Sequence, residues 1–370
     1  MEALLDPALF ALPQGVTHVC AGGQTPALHT QVEALARHAA DKSAGSPGRD
    51  RMEAEVERAR VRLAALWGMQ TGDIGLVANV AEGMSLLVES LGWREGDNVV
   101  LDANEYPSVV APLSLYRGPQ IELRFAPMAE PAEVARRVDG HTRIVAVSAV
   151  SYLNAARHDL GQLRAAADAA GALLVVDFTQ AAGWMPIHAS IADFAFSACY
   201  KWMLGHTGVA VACWNRARQA DWAPDSGGWY SIETGPRPDY AAPLRLRADA
   251  GRFTRGNPSH GAVYALHAAL DVLDQVPAAA LERHVQALTT ALLARLSAAG
   301  IPSITPPDPS RHGASVCVAH PEAARLAKAL EERGVLAWNG RGRVRFSFHG
   351  YNTMVDVERI MAALRAVWPG

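Results

Sequence analysis

Between residues 74 and 214 the chain repeats one pattern: a short apolar run closed by a polar or turn-forming residue, then a stretch of helical periodicity. The apolar runs are Ile74–Ala78, Asn98–Asp102, Ile121–Phe125, Arg143–Ser148, Ala172–Asp177, Asp193–Ser197 and Val209–Trp214. Helical patterns at Ala81–Leu91, Pro107–Tyr116, Pro131–Val138 and Leu160–Ala170 separate the earlier ones. Strands apolar at nearly every position, alternating with helices, demand a mostly parallel sheet covered on both faces. The last runs crowd together, which leaves room for some antiparallel pairing.

Two helix patterns precede this block, His29–Asp41 and Asp50–Trp67, and the intervening segment from Lys42 to Gly48 reads as a loop. A Gly/Pro/Trp-rich stretch, Pro224–Pro258, follows it without periodicity. Loops of that length in a compact protein are more often functional than idle. Helices are expected at His260–Leu273 and Ala278–Ala298. A smaller α/β unit then closes the chain: strand Ala314–Ala319, helix Pro321–Arg333, strands Val335–Trp338 and Arg343–Phe348, and helix Val355–Val367.

At 370 residues, half of them hydrophobic, the chain has material for a large core and about two domains. A net charge of −3 gives nucleic acid or an anionic membrane no electrostatic reason to bind. The N-terminus lacks the basic and apolar stretches of a signal peptide, and no apolar run is long enough to span a bilayer, so a cytoplasmic protein is expected. Cys20, Cys199, Cys213 and Cys317 are scattered, which speaks against a disulfide framework or a structural zinc. The thirteen histidines form no metal-binding motif, and no early strand runs into a dinucleotide-binding glycine pattern.

Chemistry concentrates in two segments. In Leu173-Leu174-Val175-Val176-Asp177-Phe178-Thr179-Gln180 an apolar strand ends in an acid, where open α/β sheets place ligands. In Ser197-Ala198-Cys199-Tyr200-Lys201-Trp202 a lysine follows the next strand in aromatic and apolar company. Burial disfavours an ammonium and lowers its pKa, making the amine nucleophilic. Alternatively, Asp177 and Lys201 form a plain ion pair.

These segments, with others in the same order, resemble the class V aminotransferase family of fold-type I pyridoxal 5′-phosphate (PLP) enzymes, which includes cysteine desulfurases, kynureninases and isopenicillin-N-epimerase-like proteins. The resemblance covers nearly the whole chain. It implies an α/β fold: a large domain (29–275) with a mostly parallel seven-stranded sheet between helices, a smaller C-terminal α/β domain (276–370), and an N-terminal arm (1–28) belonging to the smaller domain. It implies that Lys201 carries PLP as a Schiff base, that Asp177 pairs with the pyridine nitrogen, and that Gln180 bonds the phenolic oxygen. Asn79-Val80-Ala81-Glu82-Gly83 resembles the phosphate turn, with Asn79 as helix cap and the N–H groups of Ala81 and Glu82 as donors. Ala81 stands where the family usually has a hydroxyl residue.

By the same resemblance Tyr106 stacks on the cofactor ring and Tyr200 reaches the phosphate. The segment 249–260 resembles a loop that crosses to the neighbouring subunit, with Asn257 as donor and Trp229 approaching the same site, implying a homodimer with composite active sites. Arg345, in Arg343-Val344-Arg345-Phe346-Ser347 ahead of Tyr351-Asn352-Thr353, takes the place of the arginine that holds the substrate α-carboxylate, with Arg343 and Arg341 as competitors. Ala155 replaces a usual glycine. His29, Arg255, His260, Trp338 and His349 are further candidates for the pocket wall.

A desulfurase is disfavoured: Tyr106 replaces its histidine, and Trp338-Asn339-Gly340-Arg341-Gly342 contains no nucleophilic cysteine. The resemblance implies reaction of an α-amino acid through an external aldimine and a quinonoid. A lyase acting at the side chain is favoured over an aminotransferase or epimerase. A non-catalytic PLP-fold binding protein is the remaining alternative.

Overall fold

The computed structural model describes residues 2–233 and 241–368. Two sheets organise them. The larger is built from β2 (Ile74–Val77), β3 (Asn98–Leu101), β4 (Glu122–Phe125), β5 (Thr142–Ser148), β6 (Leu173–Asp177), β7 (Phe194–Ala198) and β8 (Ala210–Trp214), in the order β2-β8-β7-β6-β5-β3-β4. The pairs from β7 to β4 are parallel, while β8 runs antiparallel to both β7 and β2. This is the seven-stranded, mostly parallel sheet expected from the apolar runs, with the reversal where they crowd.

Residue alternation explains why the strands are apolar throughout. Val145 and Val147 of β5, Leu174 and Val176 of β6, and Val211 and Cys213 of β8 face one core. Ile144 and Ala146, Val175, and Ala210, Ala212 and Trp214 face the other. Helices α3 (Val80–Glu89) and α4 (Pro107–Ser114) cover the second face; α2 (Gly45–Trp67), α6 (Leu160–Ala170) and α7 (His260–Leu273) supply side chains to the first. Local chemistry sets the ends of α6: the Asp159 carboxylate accepts from the Gln162 N–H at 3.0 Å, and Gly171 turns left-handed at φ 67°.

The smaller sheet has the order β1-β10-β11-β9, comprising β1 (Thr17–Val19), β9 (Ser315–Ala319), β10 (Val335–Gly340) and β11 (Arg343–Ser347). It packs with α8 (Ala278–Ala298), α9 (Ala323–Glu331) and α10 (Met354–Val367). The three residues of β1 pair in parallel with β10. A run so short carries no periodicity, and sequence patterning does not find it.

The loop expected at 42–48 is shorter than its composition suggests. Helix α1 (His29–Lys42) runs through Lys42, and α2 begins at Gly45. Proline in a first helical turn costs nothing, because its missing N–H would have no intrahelical partner there. Gly48 lets the two helices meet: a Cβ on it would lie 1.8 Å from the Asp41 carbonyl oxygen. The stretch 224–258 holds Phe253, which stacks on Trp222 with ring centres 4.5 Å apart. Its residues 234–240 lie outside the described residues. Among the described residues no helix is long and apolar enough to cross a membrane.

Candidate active site

At the C-terminal ends of β5, β6 and β7 lies a cavity of about 510 Å³. Lys201 enters it from the turn that follows β7, its Nζ 5.1 Å from the centre of the Tyr106 ring and 5.6 Å from that of Tyr200. The turn is held from three directions. Leu204 closes it in the left-handed region at φ 58°, its N–H donating to the Lys201 carbonyl at 2.9 Å. The Thr25 hydroxyl donates to the same carbonyl at 3.1 Å, and His349 Nε2 donates to the Trp202 carbonyl at 2.8 Å. Because burial and the nearby Arg345 charge outweigh the pull of Asp177, the Lys201 amine is pushed down to about 8.

Asp177 is buried at the last position of β6, on a backbone arranged to fix it. The Thr179 N–H donates to its carboxylate at 2.8 Å, and the Thr179 hydroxyl accepts from the Ala198 N–H at 3.0 Å, joining the ends of β6 and β7. Burial raises the Asp177 carboxyl to about 6, with the bonds from Thr179 and the charge of Lys201 opposing and that of Glu105 adding. Each charge acts on the other: Lys201 lowers the Asp177 carboxyl, and Asp177 raises the Lys201 amine. They form no ion pair, so the plain salt-bridge alternative does not describe them.

Gln180 lines the cavity with its amide oriented by protein partners. Its Nε2 donates to the Gly22 carbonyl at 3.0 Å, and its Oε1 accepts from Trp202 Nε1 at 3.0 Å. Strand β11 and its turn add Arg341, Arg343 and Arg345 to the wall. Arg345 is 4% exposed, its Nη1 donating to the Tyr152 carbonyl at 3.0 Å while its Nε has no partner.

The family profile described as aminotransferase class-V matches residues 28–360. This chain belongs to the class-V aminotransferase family. It is 27% identical to the kynureninase of Pseudomonas fluorescens over 323 residues, covering 81% of this chain and 76% of that one. Among solved structures, the apo cysteine desulfurase of Thermococcus onnurineus NA1 shares its fold with a TM-score of 0.88 at 22% identity, over 99% of both chains. A cystine C–S lyase in complex with its product cysteine persulfide does so with a TM-score of 0.87 at 20% identity, over 96% of this chain and 99% of that one. The α/β fold-type I architecture is thereby established, and members of the family use PLP.

Not every expected residue of this class-V protein reaches the cavity. Glu82 and Asn257 share a second, smaller hollow of about 180 Å³ with Ala78 and Gly208. There the Asn79 side chain caps α3 by accepting the Glu82 N–H at 2.9 Å, while the Glu82 carboxylate takes the Ala78 N–H at 2.7 Å. The donor expected from Glu82 is thus already occupied. Ala81 faces another hollow, between α3 and α4, with Ser85 and Pro112. Asn257 accepts from Arg49 at 2.8 Å, and Trp229 stands half exposed with the Arg49 guanidinium 5.7 Å from its ring centre. Among the wall candidates Trp338 lines the cavity; His349 instead packs in the core, stacked on Tyr351. His29 is exposed, while His260 lies beside Glu53 and Arg255 beside Glu89, away from the cavity.

Three features were not legible in the motifs. Gly22 and Gly23 of the N-terminal arm form part of the wall, where a Cβ on Gly23 would lie 2.5 Å from the Trp338 ring. Glu105 is a second buried carboxyl, accepting from the Tyr106 N–H at 2.6 Å, the Ser148 N–H at 2.8 Å and the Ser148 hydroxyl at 2.6 Å. Tyr152 lines the cavity edge-on to Tyr106, with a buried hydroxyl that has no partner.

The donor set suits PLP. The cavity offers an amine whose pKa burial lowers, a flat phenol ring, hydroxyls on Tyr200 and Thr207, and a guanidinium without a counter-charge; the buried Asp177 carboxyl, though not on the cavity wall, feels the charge of the amine.

Proposed function

We propose that this protein is a PLP-dependent enzyme that acts on an α-amino acid and cleaves at its side chain as a lyase. The observation that carries this reading is a buried amine at Lys201, lacking an ion pair, in one cavity with Arg345 and under the charge of the buried Asp177. Lys201 would bind the cofactor aldehyde. Asp177 would hold the ring nitrogen, a cation that would draw its carboxyl back toward ionisation. Tyr106 would cover the ring, Gln180 would offer its remaining N–H to the ring oxygen, and Tyr200 and Thr207 would face the phosphate. The cofactor, once bound, supplies an electron sink for the pair left on the substrate α-carbon.

The rest of the chemistry belongs to the chain. Arg345 receives the substrate carboxylate with a planar fork of N–H groups. Once the substrate amino group has displaced it from the aldehyde, Lys201, part free base near neutral pH, would take the proton from the α-carbon and return it to the leaving side of the molecule. Tyr106 and Tyr152 limit water at that proton. Side-chain cleavage is favoured because the similar proteins named above include a kynureninase and a C–S lyase. Weighing against a desulfurase, none of the four cysteines lines the cavity, and burial pushes the thiols of Cys20 and Cys199 up to about 12. A binding protein without catalysis would have no use for the amine, the acid and the unpaired guanidinium together.

We further propose a homodimer in which Asn257 and Trp229, both turned away from this chain's own cavity, complete the site of the second subunit.

The test is reconstitution followed by an amino-acid panel. Added PLP should turn the protein yellow, and borohydride should fix the cofactor to the peptide containing Lys201. Release of ammonia and a keto product without added keto acid supports the lyase. Accumulation of pyridoxamine phosphate that a keto acid reverses identifies an aminotransferase instead. A protein that stays colourless with excess PLP overturns the reading altogether.

A further inference from the structure

Strand β11 alternates. Val344 and Phe346 point into the core, so Arg343, Arg345 and Ser347 share the opposite face, toward the cavity. Arg343 and Arg345 are 3% and 4% exposed. The other deeply buried arginines have counter-charges: Arg60 pairs with Asp249 at 2.7 Å and Arg164 with Asp193 at 2.5 Å. Among the described residues no carboxylate lies within ion-pair distance of Arg343 or Arg345. Both spend hydrogen bonds on one carbonyl, that of Tyr152, and the Nε of each is without a partner.

One α-carboxylate, received by Arg345, leaves Arg343 a buried cation without a counter-charge. A third guanidinium joins it. Arg341 occupies the first central position of the two-residue turn between β10 and β11 at φ 52°, with Gly342 at φ 71°. Both angles are positive, as in the tight hairpin turn that favours asparagine and glycine, and an arginine there is strained. Its guanidinium lies 5.3 Å from the Tyr152 ring centre, with Arg343 at 5.5 Å from the same ring. The Tyr152 hydroxyl beside them is a buried donor without an acceptor. Guanidiniums and a phenol gathered at one end of the cavity call for a group made only of acceptor oxygens.

We propose that the substrate is an α-amino acid whose side chain carries a second acid group, received by Arg343, Arg341 and the Tyr152 hydroxyl while Arg345 holds the α-carboxylate. This rests on the reading of the cavity as an amino-acid site and adds the class of side chain. The neutral walls of the cavity then serve the ring and the reacting carbon, while Arg343 and Arg345, side by side on the Tyr152 carbonyl, receive the two acid groups next to each other.

Two arms test it. Cofactor-loaded protein is titrated with aspartate against asparagine and with glutamate against glutamine, followed at the visible band. Cofactor-free protein is heated with succinate, glutarate, butyrate or inorganic phosphate at matched ionic strength. The acid should bind more tightly than its amide in at least one pair by about 10- to 100-fold, the worth of a lost charge-assisted contact. A dicarboxylate should raise Tm more than butyrate or phosphate. Both preferences should shrink toward unity in Arg343→Gln and in Arg341→Gln; the second is an exposed turn position whose loss the fold tolerates. Acid-to-amide ratios within twofold of one in the presence of the visible band overturn the proposal. So does a preference unchanged in both variants, or phosphate stabilising as well as the dicarboxylates. Should no visible band form, the cofactor reading fails, and the heated, cofactor-free arm still decides between one acid group and two.

Discussion

Replacing Arg345 with methionine should make the cofactor-free protein more stable and the loaded protein a much poorer binder of amino acids. Arg345 is buried, has no carboxylate partner, and makes one protein hydrogen bond, to the Tyr152 carbonyl. That carbonyl keeps a donor without it, because Arg343 Nη2 reaches it at 2.7 Å. Removing the guanidinium therefore orphans nothing, and methionine has nearly the reach to fill the space. Exchange of a buried charge for an apolar side chain of similar volume is often stabilising by about 1–4 kcal/mol, and we expect about 1–3 here. Against this stands a bidentate carboxylate contact worth about 3–4 kcal/mol, so affinity for any α-amino acid should fall about 10²- to 10³-fold. Urea unfolding of the cofactor-free protein, read by tryptophan fluorescence, measures the first effect; titration of the visible band measures the second. A variant that loses a kilocalorie or more of stability would mean that Arg345 is a structural residue whose charge the fold itself requires. The assignment of the α-carboxylate would then be wrong.

Other perturbations give further outcomes. Glu105→Gln places an amide N–H against the donors that Glu105 now satisfies, leaving one buried donor unpaired at a cost of about 1–3 kcal/mol, measurable by urea unfolding; it also removes a charge that raises the Asp177 carboxyl, which should titrate lower. With its amine near 8, Lys201 is mostly protonated at pH 7 and mostly free at pH 9. The rate of PLP attachment to cofactor-free protein should thus rise about tenfold over that interval and level off, whereas an ordinary lysine would gain about a hundredfold without a plateau. Ala155 sits at φ 61°, in the left-handed region, so Ala155→Gly should stabilise the protein by about 0.5–1.5 kcal/mol, visible as a raised urea midpoint.

The large sheet was readable because its strands are buried on both faces and leave unbroken apolar runs. The same patterning placed α6, α7 and α8 at their observed bounds. What escaped was whatever depends on a distant partner. The strand Thr17–Val19 acquires its identity only from β10, and Gly22 and Gly23 matter only because Trp338 and Arg345 pass close by. Tyr152 and Glu105 looked like ordinary neighbours of a motif until folding left one with a stranded hydroxyl and gave the other three donors. Motif order brought Lys201, Gln180, Tyr106, Tyr200 and Arg345 to one cavity; Asp177 is buried off its wall, linked to Lys201 by charge. It did not say that Glu82, Ala81, Asn257 and Trp229 would stand elsewhere in the same chain. A matched segment specifies a local conformation and leaves open which surface it will meet.

The pairing of Thr17 with Val335 also has a consequence for synthesis. A ribosome works from the first residue onward at about 5–20 residues per second, so β1 waits roughly 15–60 s before its neighbour exists. Strand β2 waits less, for β8. During that delay an unpaired edge and the glycine arm beside it are open to whatever the cell offers. The wall that those residues give the cavity is therefore among the last parts to be assembled, and a nascent chain stalled before β10 would display Lys201 with that side of its enclosure missing.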